Sequence, residues 1–265
     1  MSSMAKVWDI SADPDAAIDA AAAAVAEGLC IVLPTDTVYG IGADATNAAA
    51  VQGLLDAKER GRDMPPPVLI AEVGMLRALT DQVSPAVLAL AEAFWPGALT
   101  LVVTAHPHLR MDLGDRGATI AVRVPDHDFT RDLLRATGPL AVSSANVSGR
   151  PAATTVAEAK DQLGKRVKVY LDGGPAAGGV PSTIVDLTGE PRILREGAIP
   201  RADLAALVPE LAEPEPPSEA PDPSLEAPET MAGTPDALVD LVETPDGELV
   251  SPGEQDSGTE GPGEA

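Results

Sequence analysis

The chain has 265 residues, is 45 % hydrophobic and carries a formal charge of −23, which suits one ordinary domain plus an appendage, or two small domains. Aromatic residues make up only 2 %, which excludes stacking of many bases as a main binding mode. A single cysteine, Cys30, excludes an internal disulfide framework and a multi-cysteine zinc site.

No apolar run approaches the ~20 residues of a membrane span, and no basic stretch followed by an apolar one reads as a signal peptide. The expectation is a cytoplasmic protein with no membrane contact. Charge divides the chain. From Glu210 onward there are 16 acidic residues, 10 prolines and no Lys or Arg, leaving 25 acids against all 18 basic residues upstream. Such a segment has too few apolar groups to offset chain entropy and repels itself. The expected organisation is a folded body over 1–207 and a disordered, acidic, proline-rich tail over 208–265.

In chain order, Asp13-Pro14 reads as an N-cap with proline at the first helical position, and Gly28 as the stop. Leu29–Leu33 is a buried strand. Asn47 caps a second helix that runs through Leu54, Leu55 and Lys58, with Gly61 ending it. Val68–Ala71 is a short strand, and Ser84-Pro85 opens a helix that Pro96-Gly97 terminates. Thr100–Thr104 and Thr119–Val124 are β-branched strands. Asp126 is expected to cap a helix through Leu133 and Leu134 to Gly138. Leu140–Ser143 is a strand, and Thr155 with Glu158 forms a capping box. Val167–Leu171, Thr183–Leu187 and Ile193–Leu194 complete the strands. Interleaved helices and strands predict an α/β body with a twisted, partly mixed sheet flanked by helices.

Two loops follow strands, where α/β proteins place ligands, and a third follows a helix. Pro34-Thr35-Asp36-Thr37-Val38-Tyr39-Gly40 offers hydroxyls, a carboxylate and a phenol. Ser143-Ser144-Ala145-Asn146-Val147-Ser148-Gly149 offers small hydroxyl and amide groups suited to ribose and phosphate. Lys58-Glu59-Arg60-Gly61-Arg62 places three cations at an expected exposed helix end, where the dipole favours them and where they could also clamp a triphosphate. Arg123 and Arg195 close strands. Gly40-Ile41-Gly42-Ala43-Asp44-Ala45 matches the loose dinucleotide pattern but lacks the strand–glycine–helix junction that binding requires. His106, His108 and His127 read as structural or solvent-facing, Cys30 as a core residue, and no metal-ligand set is visible.

Together these segments resemble the YrdC-like family of threonylcarbamoyl-AMP synthases, from about Asp13 to Leu207. The resemblance is carried by PTDTVYG at 34–40, Lys-x-Arg at 58–60, FWPGALT at 94–100, RVPDH at 123–127, SSANVSG at 143–149, STIVDL at 182–187 and ILREGAI at 193–199. It implies the substrates L-threonine, bicarbonate and ATP with magnesium, and a product that the downstream tRNA threonylcarbamoyl-transfer machinery consumes. By the family's pattern Lys58, Arg60, Ser144 and Asn146 hold the nucleotide and its phosphates, with Lys58 and Arg60 supplying the catalytic charge. Thr119 and Arg195 also contact the nucleotide, while Thr37, Arg123 and Ser182 hold threonine. Some relatives have Asn at the position aligned with Met64 and His at that of Leu69, and others have a second C-terminal domain.

The competing reading is a binding module that grips structured, double-stranded RNA weakly and without catalysis. A pure RNA binder would usually be basic and would not need a threonine-sized set of hydroxyls. A third reading, carbamoyl transfer on a related scaffold, goes with zinc-finger and acylphosphatase-like modules for which this chain is too short and too poor in cysteine.

Overall fold

A computed structural model describes residues 5–212 except Arg116. The strands are β1 (Lys6–Asp9), β2 (Ile31–Leu33), β3 (Gly40–Asp44), β4 (Val68–Leu69), β5 (Leu99–Thr104), β6 (Thr119–Arg123), β7 (Leu140–Ser144), β8 (Val169–Asp172), β9 (Thr183–Asp186) and β10 (Arg192–Arg195). They form one ten-stranded mixed sheet in the order β1-β8-β2-β3-β7-β4-β6-β5-β9-β10. The helices are α1 (Pro14–Ala26), α2 (Ala48–Ala57), α3 (Leu76–Leu79), α4 (Pro85–Phe94), α5 (Asp128–Thr137), α6 (Val156–Leu163) and α7 (Arg201–Ala205).

Local chemistry explains most helix starts. The Asp13 carboxylate accepts from Ala16 N at 3.0 Å, with Pro14 at the first position. Asn47 Oδ1 accepts from Ala49 N and Ala50 N at 3.0 and 3.1 Å, satisfying two of the donors a helix start leaves open. Thr155 Oγ1 accepts from Glu158 N, and Glu158 reaches back to Thr154 N at 2.7 Å. One expected cap is corrected: Asp126 does not cap α5. His127 does, its Nδ1 accepting from Thr130 N at 3.4 Å. Burial holds this imidazole below its ordinary range against the pull of nearby carboxylates, which favours the neutral, accepting form.

The segment Gly40–Asp44, to which the sequence reading assigns no element, is a strand, antiparallel to both β2 and β7. Its glycines serve close packing: a Cβ on Gly40 would lie 2.6 Å from Val142 Cγ1.

The core has three parts. Ala17, Ala21 and Val25 of α1 pack with Leu133 and Leu134 of α5 over Ile31, Leu33 and Leu140. Leu54 and Leu55 of α2 pack with Ala159 and Leu163 of α6 over Val32, Ile41 and Tyr170. Leu90 and Ala91 of α4 join Leu204 of α7 over Val68, Val122, Leu101 and Val185. Strand alternation then creates the site, because successive side chains point to opposite faces. Leu99, Leu101 and Val103 of β5 enter the core while Thr100 and Val102 line a cavity; Val122 of β6 does the former, Ala121 and Arg123 the latter.

The packed chain continues beyond the expected boundary at Leu207. Val208 and Leu211 are buried in the α4–α7 core, and Leu211 O accepts from Arg201 Nη1 at 3.0 Å. The expected tail from residue 213 lies outside the described residues. Ending the chain after Leu207 is therefore expected to cost about 3–6 kcal/mol, an upper bound for two buried aliphatic side chains, relative to ending after Ala212. Thermal unfolding of the two shortened chains checks this.

Candidate active site

The cavity is about 400 Å³ and is floored by β4, β5, β6, β7, β9 and β10, within the usual range for small-molecule sites. Of the expected residues, Thr37, Arg60, Thr119, Arg123, Ser144, Ser182 and Arg195 line it together. They come from all three motif-bearing loops, from the ends of β6 and β10, and, for Ser182, from the residue before β9.

Among the cations lining the cavity Arg123 is deeply embedded, 6 % exposed. Its Nη2 donates to Asp36 Oδ1 at 2.6 Å, its Nη1 to Thr37 Oγ1 at 3.0 Å and its Nε to Gly97 O at 2.9 Å. The bend at Pro96-Gly97 thus orients the guanidinium from one side and the Asp36-Thr37 turn from the other. Burial holds the group below its ordinary range, with Asp36 opposing. Three of its five N–H donors are committed, which leaves donors for an anionic partner.

Arg195 donates through Nε and Nη2 to Ser182 O, at 3.1 and 2.8 Å. Burial, then Arg123, then Arg60 hold its pKa below the ordinary range, so the three guanidiniums feel one another across the site. Arg60 Nη1 donates to Ser143 Oγ at 3.0 Å. One carboxylate, Asp36, stands among these cations, and the remaining positive field suits carboxylate and phosphate groups. Hydroxyls complete the wall: Ser182 Oγ lies 2.9 Å from Thr100 Oγ1, and Thr37 Oγ1 lies 3.0 Å from Thr35 Oγ1.

The structure changes four details of the sequence reading. Lys58 is not at an exposed helix end; it is 2 % exposed, and its ammonium donates to Ser144 O, to Asn146 O at 2.8 Å and to Asn146 Oδ1 at 3.4 Å. Lys58 and Asn146 therefore lie behind the cavity wall, where they fix the Ser144 end of β7. Arg62 turns away from the cavity toward Asp112 and Asp115. The Tyr39 phenol is held by the backbone, donating to Gly174 O at 2.6 Å and accepting from Gly173 N at 3.0 Å. The Asp36 carboxylate is engaged by Arg123. Sequence reasoning missed Thr100, buried and cavity-lining, which carried a signal as the polar position between Leu99 and Leu101; Thr35, one of the hydroxyls expected from the 34–40 loop, lines the cavity as well.

Burial, with Arg60 adding to it, pushes the Lys58 ammonium down to about 8 from 10.5. Between those values the unfolded chain keeps a proton that the folded chain has released, so stability rises with pH in that window. Turnover should fall across the same window as the ammonium loses its charge. In Lys58→Met the rise is expected to disappear, as read from urea unfolding at pH 7 to 10.5.

The model of the family described as telomere recombination, comprising Sua5, YciO and YrdC proteins, matches residues 23–197. The chain belongs to this family. A Mycobacterium leprae protein provisionally named threonylcarbamoyl-AMP synthase is 51 % identical over 209 residues, covering 77 % of this chain and 94 % of that protein. The Bacillus subtilis threonylcarbamoyl-AMP synthase is 37 % identical, covering 76 % of this chain and 59 % of that one. Among solved structures, Pyrococcus abyssi Sua5 complexed with L-threonine superposes with a TM-score of 0.70 at 34 % identity, covering 73 % of this chain and 57 % of the other. The mixed α/β fold with its large twisted sheet is that of the family. Among the described residues no helix is long and apolar enough to cross a membrane.

Proposed function

We propose that the protein is an L-threonylcarbamoyladenylate synthase, a nucleotidyltransferase that makes threonylcarbamoyl-AMP and pyrophosphate from L-threonine, bicarbonate and ATP for tRNA modification. The observation that carries this is one cavity of about 400 Å³ walled by Arg60, Arg123 and Arg195 together with Thr37, Ser144 and Ser182. Family membership and the threonine-bound relative support it.

In this reading the Thr37–Arg123–Ser182 end takes threonine, its carboxylate meeting the remaining Arg123 donors. The rest of the cavity takes the nucleotide, with Arg60, Thr119 and Ser144 on the wall, Arg195 beside Ser182 at the junction of the two parts, and Lys58 and Asn146 supporting from behind. The threonine amine attacks the carbon of bicarbonate, with loss of water, to give a carbamate. A carbamate oxygen then attacks the α-phosphorus of ATP, and the bond to the β-phosphate oxygen breaks to release pyrophosphate. No nucleophilic side chain is required; the protein holds two anions in line and stabilises the spreading phosphoryl charge. Magnesium enters as part of the ATP substrate; among the described residues no cluster of three His, Cys, Asp or Glu could hold a metal.

An RNA-gripping surface fits less well, because the cations converge inside a small-molecule cavity. Pyrophosphate release measured with each substrate omitted in turn tests the reading: release must require threonine, bicarbonate and ATP together. Threonine-independent release would point to simple ATP hydrolysis.

A further inference from the structure

Two loops border the nucleotide end of the cavity. The first runs from Gly61 to Pro67 and contributes Met64, Pro65, Pro66 and Pro67 to the lining; the second contributes Leu113. Leu113 is 8 % exposed and also walls a smaller adjoining cavity of about 210 Å³ with Leu109 and Met111. With Pro65, Thr119 and Ile120, which also line both spaces, it forms the wall between them.

Arg62 ties these loops together. Its Nη2 pairs with Asp112 and its Nε with Asp115 at 3.1 Å, on either side of Leu113, while its Nη1 donates to Gln52 Oε1 at 3.2 Å. The backbones also join, Asp115 N donating to Arg62 O at 2.9 Å. Gly114 permits that approach: its φ is +138°, and a Cβ there would lie 2.4 Å from Arg62 O. Arg62 is the second residue after Arg60, so this junction also anchors the segment that presents Arg60 to the cavity.

We propose that Arg62 is a positioning residue, a latch that holds the Asp112–Asp115 segment against the 61–67 loop and thereby sets the width of the nucleotide end. The proposal rests on the synthase reading above. Without the latch, Leu113 is free to withdraw, the wall between the cavities loosens, and the nucleotide loses a fitted surface although no direct contact has been removed.

The test compares Arg62→Gln with the double variant Asp112→Asn, Asp115→Asn. Mg-ATP binding is measured by calorimetry alongside steady-state kinetics. Both variants should weaken ATP binding in the same direction, by about fivefold for loss of two partly exposed ion pairs, with KM for ATP rising more than kcat falls. Arg62→Lys, which can engage one aspartate at a time, should fall between wild type and Arg62→Gln. If the double variant instead tightens ATP binding while Arg62→Gln weakens it, Arg62 is a phosphate ligand restrained by its aspartates and the latch is wrong. If neither variant moves ATP binding, the junction is ornamental and the latch is likewise wrong. A wild-type protein that binds no Mg-ATP would overturn the synthase reading itself, and the latch with it.

Discussion

Arg60→Ala is expected to lower turnover by about 100- to 1000-fold, the usual loss when a transition-state charge contact is removed from a preorganised site. Arg60 lines the cavity and donates to Ser143 Oγ at 3.0 Å. Its removal trims the wall without opening the core, so thermal unfolding should change little. Lys58→Ala should bring a loss of turnover and a loss of stability together. That ammonium holds Ser144 O, Asn146 O and Asn146 Oδ1, and each buried acceptor left unsatisfied costs about 1–3 kcal/mol. Parallel kinetics and melting curves separate the two residues. Equal behaviour in both assays would mean that the distinction between wall and support is wrong.

The second large effect is at Arg123. Arg123→Ala leaves the Asp36 carboxylate partly buried without its guanidinium, and breaking a buried pair by removing one partner costs about 3–5 kcal/mol. Arg123→Lys keeps a charge but not the fork that reaches Asp36 Oδ1, Thr37 Oγ1 and Gly97 O at once, a geometry an ammonium cannot reproduce. The Lys variant is expected to fold and to raise KM for threonine well above any change in KM for ATP. Were KM for ATP to rise instead while that for threonine held, the two ends of the cavity would be assigned the wrong way round.

What was legible in the sequence was local. Asp13-Pro14, Asn47, Ser84-Pro85 and Thr155 declare helix starts because each cap is satisfied within a few residues of itself. The β-branched runs at Thr100–Thr104 and Thr119–Val124 declare strands for the same reason. β3 was missed because Gly40 and Gly42 deprive it of β-forming side chains; its glycines are explained by neighbours such as Leu33 and Val142, which fill the space a Cβ would take. β1 is a short edge strand, largely exposed, and offers no alternation to read.

The candidate site divides in the same manner. That Arg123, Arg195 and the hydroxyl-bearing loops gather at strand ends follows from local pattern and α/β architecture. That Lys58 is buried does not, because the carbonyls receiving it belong to Ser144 and Asn146, brought beside it by the sheet. Nor could the Lys58–Arg62 run reveal that Arg62 faces outward, since Asp112 and Asp115 lie some fifty residues further along.

The most direct measurement supplies the protein with ATP, L-threonine and ¹³C-bicarbonate in the presence of magnesium and follows the nucleotide products by mass spectrometry. The account requires a threonylcarbamoyl-adenylate carrying one ¹³C atom, formed in step with pyrophosphate and strongly reduced in Arg60→Ala. A folded protein that releases pyrophosphate without incorporating the label, or that forms no adenylate with all three substrates present, would contradict it.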